Sequence, residues 1–593
     1  MEKTQKSVFH NSISILKMLL PWIVFPCANF YLMETFHHNP FANMNVRVQF
    51  LNILLFVCLA VFLWMLTGSS KRAWKIQSIT SLGIGILEYY VIAFRGTPVL
   101  PWDFFSLKTA ASVSADYDYS LEWQAILSIL GFIVLILLEN KMEDVRLNRK
   151  DWLVRLSGGV LAFSIIFGEY QMLKSPQFIA NMWIYDKLFT PYAMIKRDGI
   201  ALAFLLELQY MEVEKPDGYV ADKIEDAYQA LSGEVIGVET DERLPNVIVV
   251  MSEAFSDPAV LGEFTTNQDY MPYLHSLQEG HDNTITGTMN VSVVGGNTAN
   301  TEFEFLTGST MAFLPDGSVP YQQYIDGTTD SIASHLGALG YNTLAMHPYN
   351  ASGWERNEVY PYLGFDVFYS LKNFANVKKV RDYVSDDSCV DRIIKEFERS
   401  EDPCFIFNVT MQNHSAYTSE YDNFTPDITV DGADSFALNT YLSLLKLSDA
   451  ALERLITYLS QVEEETVLVF FGDHQPADSV VADIWEINGV DPDNLTEEQA
   501  CLRYQVPFVV WANYDIEERN DVMTSANFLG AQVFDWCKIP MNGYQEYLLE
   551  LSKEFSAITG RTTVNKKGNF VNFSDVEDEL NIYNMLQYYR LFG

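Results

Sequence analysis

The chain has 593 residues and a formal net charge of −38, with 39 Lys and Arg against 77 Asp and Glu. A chain this acidic, with no basic stripe to neutralise phosphates, is not a nucleic-acid binder, and any anionic substrate must be met by a local metal ion or arginine. Residues 1–170 carry 14 Lys and Arg against 12 Asp and Glu, so nearly all of the excess lies downstream of them.

Apolar runs near 13–33, 48–68, 77–95, 122–139 and 152–169 each approach the roughly 20 residues that a helix needs to cross a bilayer. The first is followed by further spans and lacks a small-residue cleavage site, so residues 1–170 read as a five-span anchor and not a cleaved signal. Lys3, Lys6 and Lys17, then Lys71, Arg72 and Lys75, then Lys141, Arg146, Arg149, Lys150 and Arg155 fill alternate ends of the spans. That asymmetry places the N-terminus in the cytoplasm and everything after Glu169 outside. The loop FRGTPVLPWDFFSLKTAASVS reads equally as an interfacial segment or an ordinary connection. Glu88, within the third span, is either functional or close enough to the outer end to reach water. The six cysteines show no C-x-x-C spacing, which removes zinc ribbons and redox motifs; a disulfide outside the membrane is not assignable from sequence.

Residues 171–243 read as a connector with a helix near 197–213 and an acidic stretch from Glu212 to Glu242. From 244 to 560 the pattern alternates. NVIVVMSE, TLAMH, CFIFNVTMQNH, VLVFFGDH and VPFVVWAN are β-rich, while DYMPYLHSLQEG, SIASHLGALG, SCVDRIIKEFERS and FALNTYLSLLKLSDAALERLITYLSQ have helical periodicity. This predicts an α/β domain with a mostly parallel central sheet, followed by a C-terminal tail over 561–593.

In such sheets chemistry gathers beyond the carboxyl ends of the strands. Glu253, His347, Asn413 with His414, and Asp473 with His474 all end predicted strands. A lone histidine there is ordinarily structural; four such ends in one domain point to a site. Glu253, Asp473 and His474 offer two hard oxygens and one imidazole, a set suited to Mn²⁺, Zn²⁺ or Mg²⁺. In VSVVGGNTANTEFEFLTG, Gly295 and Gly296 permit close backbone approach and Thr298 falls where a helix begins. Thr298 is then either a capping residue or a hydroxyl that a metal activates as a nucleophile.

Taken in order, Glu253 in VVMSEAF, Thr298 in GGNTANTEF, His347 with Trp354 and Arg356 in HPYNASGWERNEVYPYLGF, His414 in MQNHSAY and Asp473-His474 in FFGDHQP resemble the lipoteichoic acid synthase family. The resemblance covers essentially the whole chain. It implies a five-helix transmembrane anchor followed by an extracellular sulfatase/alkaline-phosphatase-like domain. It further implies a metal, usually manganese, held by Glu253, Thr298, Asp473 and His474, with Thr298 as nucleophile and His347, Trp354, Arg356 and His414 around a glycerol phosphate group. The donor implied is phosphatidylglycerol, the acceptor a teichoic acid, glycolipid or related glycan, and the setting a Gram-positive cell envelope. The chain departs from the family pattern at Tyr349, where relatives often have an acid, and at Asn297, where lysine is common; both touch substrate contacts. The other readings are a phosphoethanolamine transferase, a metal-dependent phosphodiesterase, and a teichoic acid binder without turnover. A formylglycine sulfatase is disfavoured because Thr298-Ala299-Asn300-Thr301-Glu302 lacks the C/S-x-P-x-R context.

Overall fold

The structure, a computed structural model, describes residues 19–95, 98–104, 121–185, 191–208, 213–232, 235–236, 244–315 and 318–593. The chain divides into two compact units, residues 1–103 with 117–212, and residues 104–116 with 213–593.

The first unit is helical: α1 Pro21–Glu34, α2 Val46–Thr67, α3 Ser70–Arg95, α4 Trp123–Lys141, α5 Trp152–Met172, then the short α6 Pro191–Asp198 and α7 Ile200–Glu207. Among the described residues, four helices are long and apolar enough to cross a membrane, α2 to α5, where five spans were expected. The difference lies in the first predicted span, 13–33, which falls partly on residues outside the described ones; its described part is the 14-residue α1. The helix expected near 197–213 is broken instead, because Gly199, at φ 80°, separates α6 from α7.

Buried polar side chains staple this break. Glu34 Oε1 accepts from Ile200 N at 2.9 Å, and Asn52 accepts from Leu202 N at 3.2 Å while donating to Asp198 O at 2.6 Å. The first turn of α7 would otherwise leave these donors without partners in an apolar setting. Glu88 has a comparable duty, since its Oε2 accepts from Val99 N at 2.9 Å. Most of the FRGTPVLPWDFFSLKTAASVS loop lies outside the described residues.

The second unit is built on an eight-stranded sheet: β1 Asn246–Ser252, β2 Thr284–Asn290, β3 Asn342–Met346, β4 Val367–Tyr369, β5 Cys404–Val409, β6 Thr466–Gly472, β7 Gln505–Ala512 and β8 Arg519–Ser525. Their spatial order is β8-β2-β7-β6-β1-β5-β3-β4. Only β7 runs antiparallel to its neighbours, so the sheet is mostly parallel as predicted. Strands β1, β5, β6 and β7 are buried along their whole length, which is why they read as unbroken apolar runs. Because β1, β3, β5 and β6 are parallel neighbours, the residues that follow them emerge at one edge.

The helices that matter here are α8 Thr298–Thr307, α9 Asp386–Phe397, α10 Phe436–Leu459, α11 Ala526–Trp536 and α12 Phe573–Phe592. Every residue of α8 is buried. The segment expected as a tail holds the 20-residue α12, which fastens the far end of α8: Tyr583 donates to Gly308 O at 2.8 Å, Arg590 to Thr307 O at 2.8 Å, and Gln587 exchanges hydrogen bonds with the backbone of Thr310. All six cysteines lie among the described residues, and none of them forms a disulfide.

Gly472, at the end of β6, lies so near the chain after β1 that a Cβ there would sit 1.7 Å from Phe255 O. Backbone cannot give way as a flexible side chain would. Gly472→Ala should therefore destabilise the second unit by about 3 kcal/mol or more, and an unchanged denaturant midpoint in the full chain would contradict this close approach.

Candidate active site

The strand ends deliver the site. Glu253 leaves β1 with its N–H donated to Thr410 Oγ1 at 3.1 Å, and Thr410 in turn continues from β5. Ala254, at φ 48°, turns the chain so that its N–H reaches Asp473 Oδ1 at 2.7 Å; the same oxygen accepts from His474 N at 2.8 Å. His474 Nδ1 lies 2.8 Å from Gln475 O, an arrangement in which Nδ1–H donates and Nε2 is left to face the carboxylates.

Gly295, at φ 70°, donates to Gln475 O at 2.9 Å and so ties the glycine loop to the DHQ segment. The loop then enters α8. Asn297, in the left-handed region, is the N-cap without a side-chain cap bond, and Thr298 is the first helical residue. The capping alternative for Thr298 is thereby corrected: its hydroxyl points at His474, 3.5 Å from Nε2.

Glu253, Asp473 and His474 each offer one ligand atom, all within 4.8 Å of one another, and all three residues are buried. His474 Nε2 is 3.3 Å from Asp473 Oδ2 and 3.8 Å from Glu253 Oε1. Four donors held at metal–ligand distances around a tetrahedral ion would stand about 3.4 Å apart, so these separations suit a divalent cation. Asp473 Oδ2 is itself buried without a hydrogen-bond partner, the mark of a ligand atom. Burial, and then the Asp473 charge beside it, pushes the Glu253 carboxyl well above the usual carboxylate range; burial likewise raises Asp473. Two buried carboxylates this close require protons or a cation.

The remaining predicted residues follow β3 and β5 in the chain and have different engagements. His347 is buried, its Nδ1 3.1 Å from Val409 O, and burial followed by the nearby Arg356 charge holds it well below the usual imidazole range. His414 is half-buried, with Nδ1 2.9 Å from Ser415 O and 3.2 Å from the Tyr383 hydroxyl. Trp354 is half-buried, and it and Glu355 both sit in the left-handed region, at φ 54° and 57°. Each such position costs about 1–3 kcal/mol, a strain that concentrates where function demands a particular turn.

Arg356 is already paired within the chain. One edge of its guanidinium is already forked onto Glu302: Nε lies 3.1 and 3.2 Å from the two carboxylate oxygens, and Nη2 also donates to Oε1. The side chain is 2% exposed. A free fork awaiting two phosphate oxygens is therefore not what the structure holds; only the outer edge, with Nη1 3.4 Å from Gly353 O, remains for a ligand.

Sequence reasoning missed three participants. Glu302 had a signal, the i,i+4 spacing from Thr298 on α8. Arg381 had none. It is buried and donates to the carbonyls of Gln412, His414 and Ala416 at 2.8, 2.6 and 2.8 Å, shaping the loop that presents His414. Arg503 similarly holds the DHQP loop through Gln475 Oε1 and Pro476 O at 2.6 Å for the latter.

A mostly parallel sheet with two acids, an imidazole and a helix-borne hydroxyl at its carboxyl edge defines the sulfatase/alkaline-phosphatase-like class. The chain belongs to the sulfatase family: the family model for sulfatase matches residues 245–539. It is 30% identical over 524 residues to a Rhizobium meliloti (strain 1021) protein named for cyclic beta-1,2-glucan modification, covering 84% of this chain and 79% of that one. It is 21% identical to the lipoteichoic acid synthase of Staphylococcus aureus (strain USA300) over 61% of this chain and 56% of that protein, in keeping with the resemblance noted in the motifs. Among solved structures, the fold matches the Streptococcus pyogenes phosphoglycerol transferase GacH in complex with sn-glycerol-1-phosphate, with TM-score 0.51, 24% identity, and 63% and 94% of the two chains covered. The rhizobial relative takes the family beyond the Gram-positive setting that the motifs implied.

The acidic pair sets a pH dependence. Because both carboxyls are raised in the folded chain, the metal-free site retains protons beyond the usual carboxylate range that a cation must displace, so affinity increases with pH. Calorimetric titration of Mn²⁺ should show tighter binding at pH 7.5 than at pH 5.5 and proton release to the buffer, with Asp473→Asn weakening binding at both. Pale or absent pH dependence would mean the pair does not hold the ion.

Proposed function

We propose that this chain is a membrane-anchored phosphoglycerol transferase. It moves glycerol phosphate from phosphatidylglycerol to a teichoic acid or related glycan acceptor, through a glycerophospho-threonine on Thr298. The observation that carries the reading is the Thr298 hydroxyl, at the buried start of α8, facing His474 Nε2, which itself clusters with Glu253 and Asp473. Four long apolar helices suit an enzyme whose donor is a lipid, and the relative named for glucan modification favours a glycan acceptor. In this reading the N-terminus is cytoplasmic and the second unit lies outside the cell.

Glu253, Thr298, Asp473 and His474 would hold the metal, Mn²⁺ by preference with Zn²⁺ or Mg²⁺ as substitutes. When bound, such an ion lowers the pKa of the threonine hydroxyl and neutralises charge on the phosphoryl oxygens. Thr298 Oγ attacks phosphorus, and the bond from phosphorus to the diacylglycerol oxygen breaks. His414, half-exposed and fixed by Tyr383 and the Arg381-shaped loop, gives that departing oxygen its proton. In the second half His414 takes back a proton from an acceptor hydroxyl, which attacks the same phosphorus, and Thr298 Oγ leaves in the deprotonated form in which it attacked. His347, kept neutral by burial and by the Arg356 charge, presents an acceptor nitrogen to a substrate hydroxyl. The outer edge of Arg356 meets the phosphate, and Trp354 packs along the glycerol.

The test uses the full chain in detergent with labelled phosphatidylglycerol and Mn²⁺. A glycerophosphate adduct should map to Thr298, and Thr298→Ala should lower diacylglycerol release at least about a thousandfold. Phosphatidylethanolamine should give no adduct. Label on another residue, undiminished release by the variant, or preference for the ethanolamine lipid would each sink the reading.

A further inference from the structure

Two helical ladders interlock beside the acidic cluster. Thr298 and Glu302 are four residues apart on α8, about 6 Å along its axis and on one face. Arg356 and Tyr360 are likewise four apart on the seven-residue helix Arg356–Tyr362. Both members of the second ladder close on Glu302, Arg356 through its Nε/Nη2 edge and Tyr360 through its hydroxyl at 2.6 Å from Oε2. All of these groups are buried.

We infer that Glu302 is a positioning residue: it holds Arg356 one turn below the Thr298 hydroxyl, with its outer Nη edge turned to the phosphate and away from the metal-ligating carboxylates. This rests on the phosphoglycerol transfer reading above. The physical reason is competition. A buried guanidinium seeks a carboxylate, and Glu253 is another acid within its electrostatic reach. Unrestrained, it would pair with Glu253 and occupy ligand atoms that the cation needs. Bidentate pairing to Glu302 fixes both the distance and the plane of the fork, and a planar fork transmits that orientation to its opposite edge. Because Glu302 and Thr298 share one rigid helical turn, nucleophile and phosphate clamp are set by a single element.

The experiment is a double-mutant cycle on the full chain loaded with Mn²⁺, with glycerol phosphate as the titrated probe. Glu302→Gln should weaken probe binding at least about tenfold and weaken Mn²⁺ binding as Arg356 turns toward Glu253. In an Arg356→Ala background the same substitution should change probe affinity by no more than about twofold, since its effect is routed through the arginine. A merely structural Glu302 would weaken binding equally in both backgrounds, and that result overturns the inference, as does wild-type affinity in Glu302→Gln or absence of probe binding by the wild type. If Glu302→Gln does not fold, Glu302→Asp, which keeps the charge but draws the fork back by one methylene, must show the same dependence on Arg356. Diacylglycerol release by the wild type judges the transferase reading separately: its failure with an intact binding cycle leaves Glu302 supported as the clamp of a phosphate site.

Discussion

Two carboxylates buried side by side, Glu253 and Asp473, are the constraint around which the second unit is organised. Each is costly to ionise in that setting, and their proximity raises the cost further. The fold offsets part of this with backbone N–H donors from Ala254 and His474 and with an imidazole turned inward by Gln475. What remains is an orphaned Asp473 oxygen and a spacing that fits a divalent ion.

Positioning of this cluster depends on close backbone approach. Gly472 brings β6 against the turn after β1, and the Gly295–Gly296 loop brings α8 to His474. The helix is then held at three places: its first residue faces the acidic cluster, Glu302 takes Arg356 and Tyr360, and its C-terminal carbonyls are fastened by α12. That last anchor lies beyond the residues matched by the family model. A buried ion pair such as Arg356–Glu302 is weak evidence of stability, because both charges are desolvated; its value lies in specifying one arrangement among several acids.

In the first unit buried polar side chains serve the backbone, with Glu34 and Asn52 satisfying the start of α7 and Glu88 meeting Val99 N. In the second unit Asp449 and Glu304 do the same for Tyr273, Leu274 and Met311, while Glu253 and Asp473 gather with His474. Glu88, whose place in an apolar run read as either functional or close enough to the outer end to reach water, meets a backbone donor that offsets its cost.

Much of this was legible in the amino-acid order. Strands buried on both faces read as continuous apolar runs, and the polar residues closing them mark the carboxyl edge, so Glu253, Asp473 and His474 stand out in the sequence. By contrast β2, TITGTMN, and β8, RNDVMTS, are too polar to announce themselves; β8 is an edge strand with less apolar surface to cover. Local periodicity and side-chain chemistry alone specify the layered α/β class, the apolar helices and the candidate ligand types. What Arg356 pairs with is settled only when the chain folds, because a guanidinium chooses its partner by proximity across 54 residues of chain, and Glu302 is the carboxylate that folding puts there.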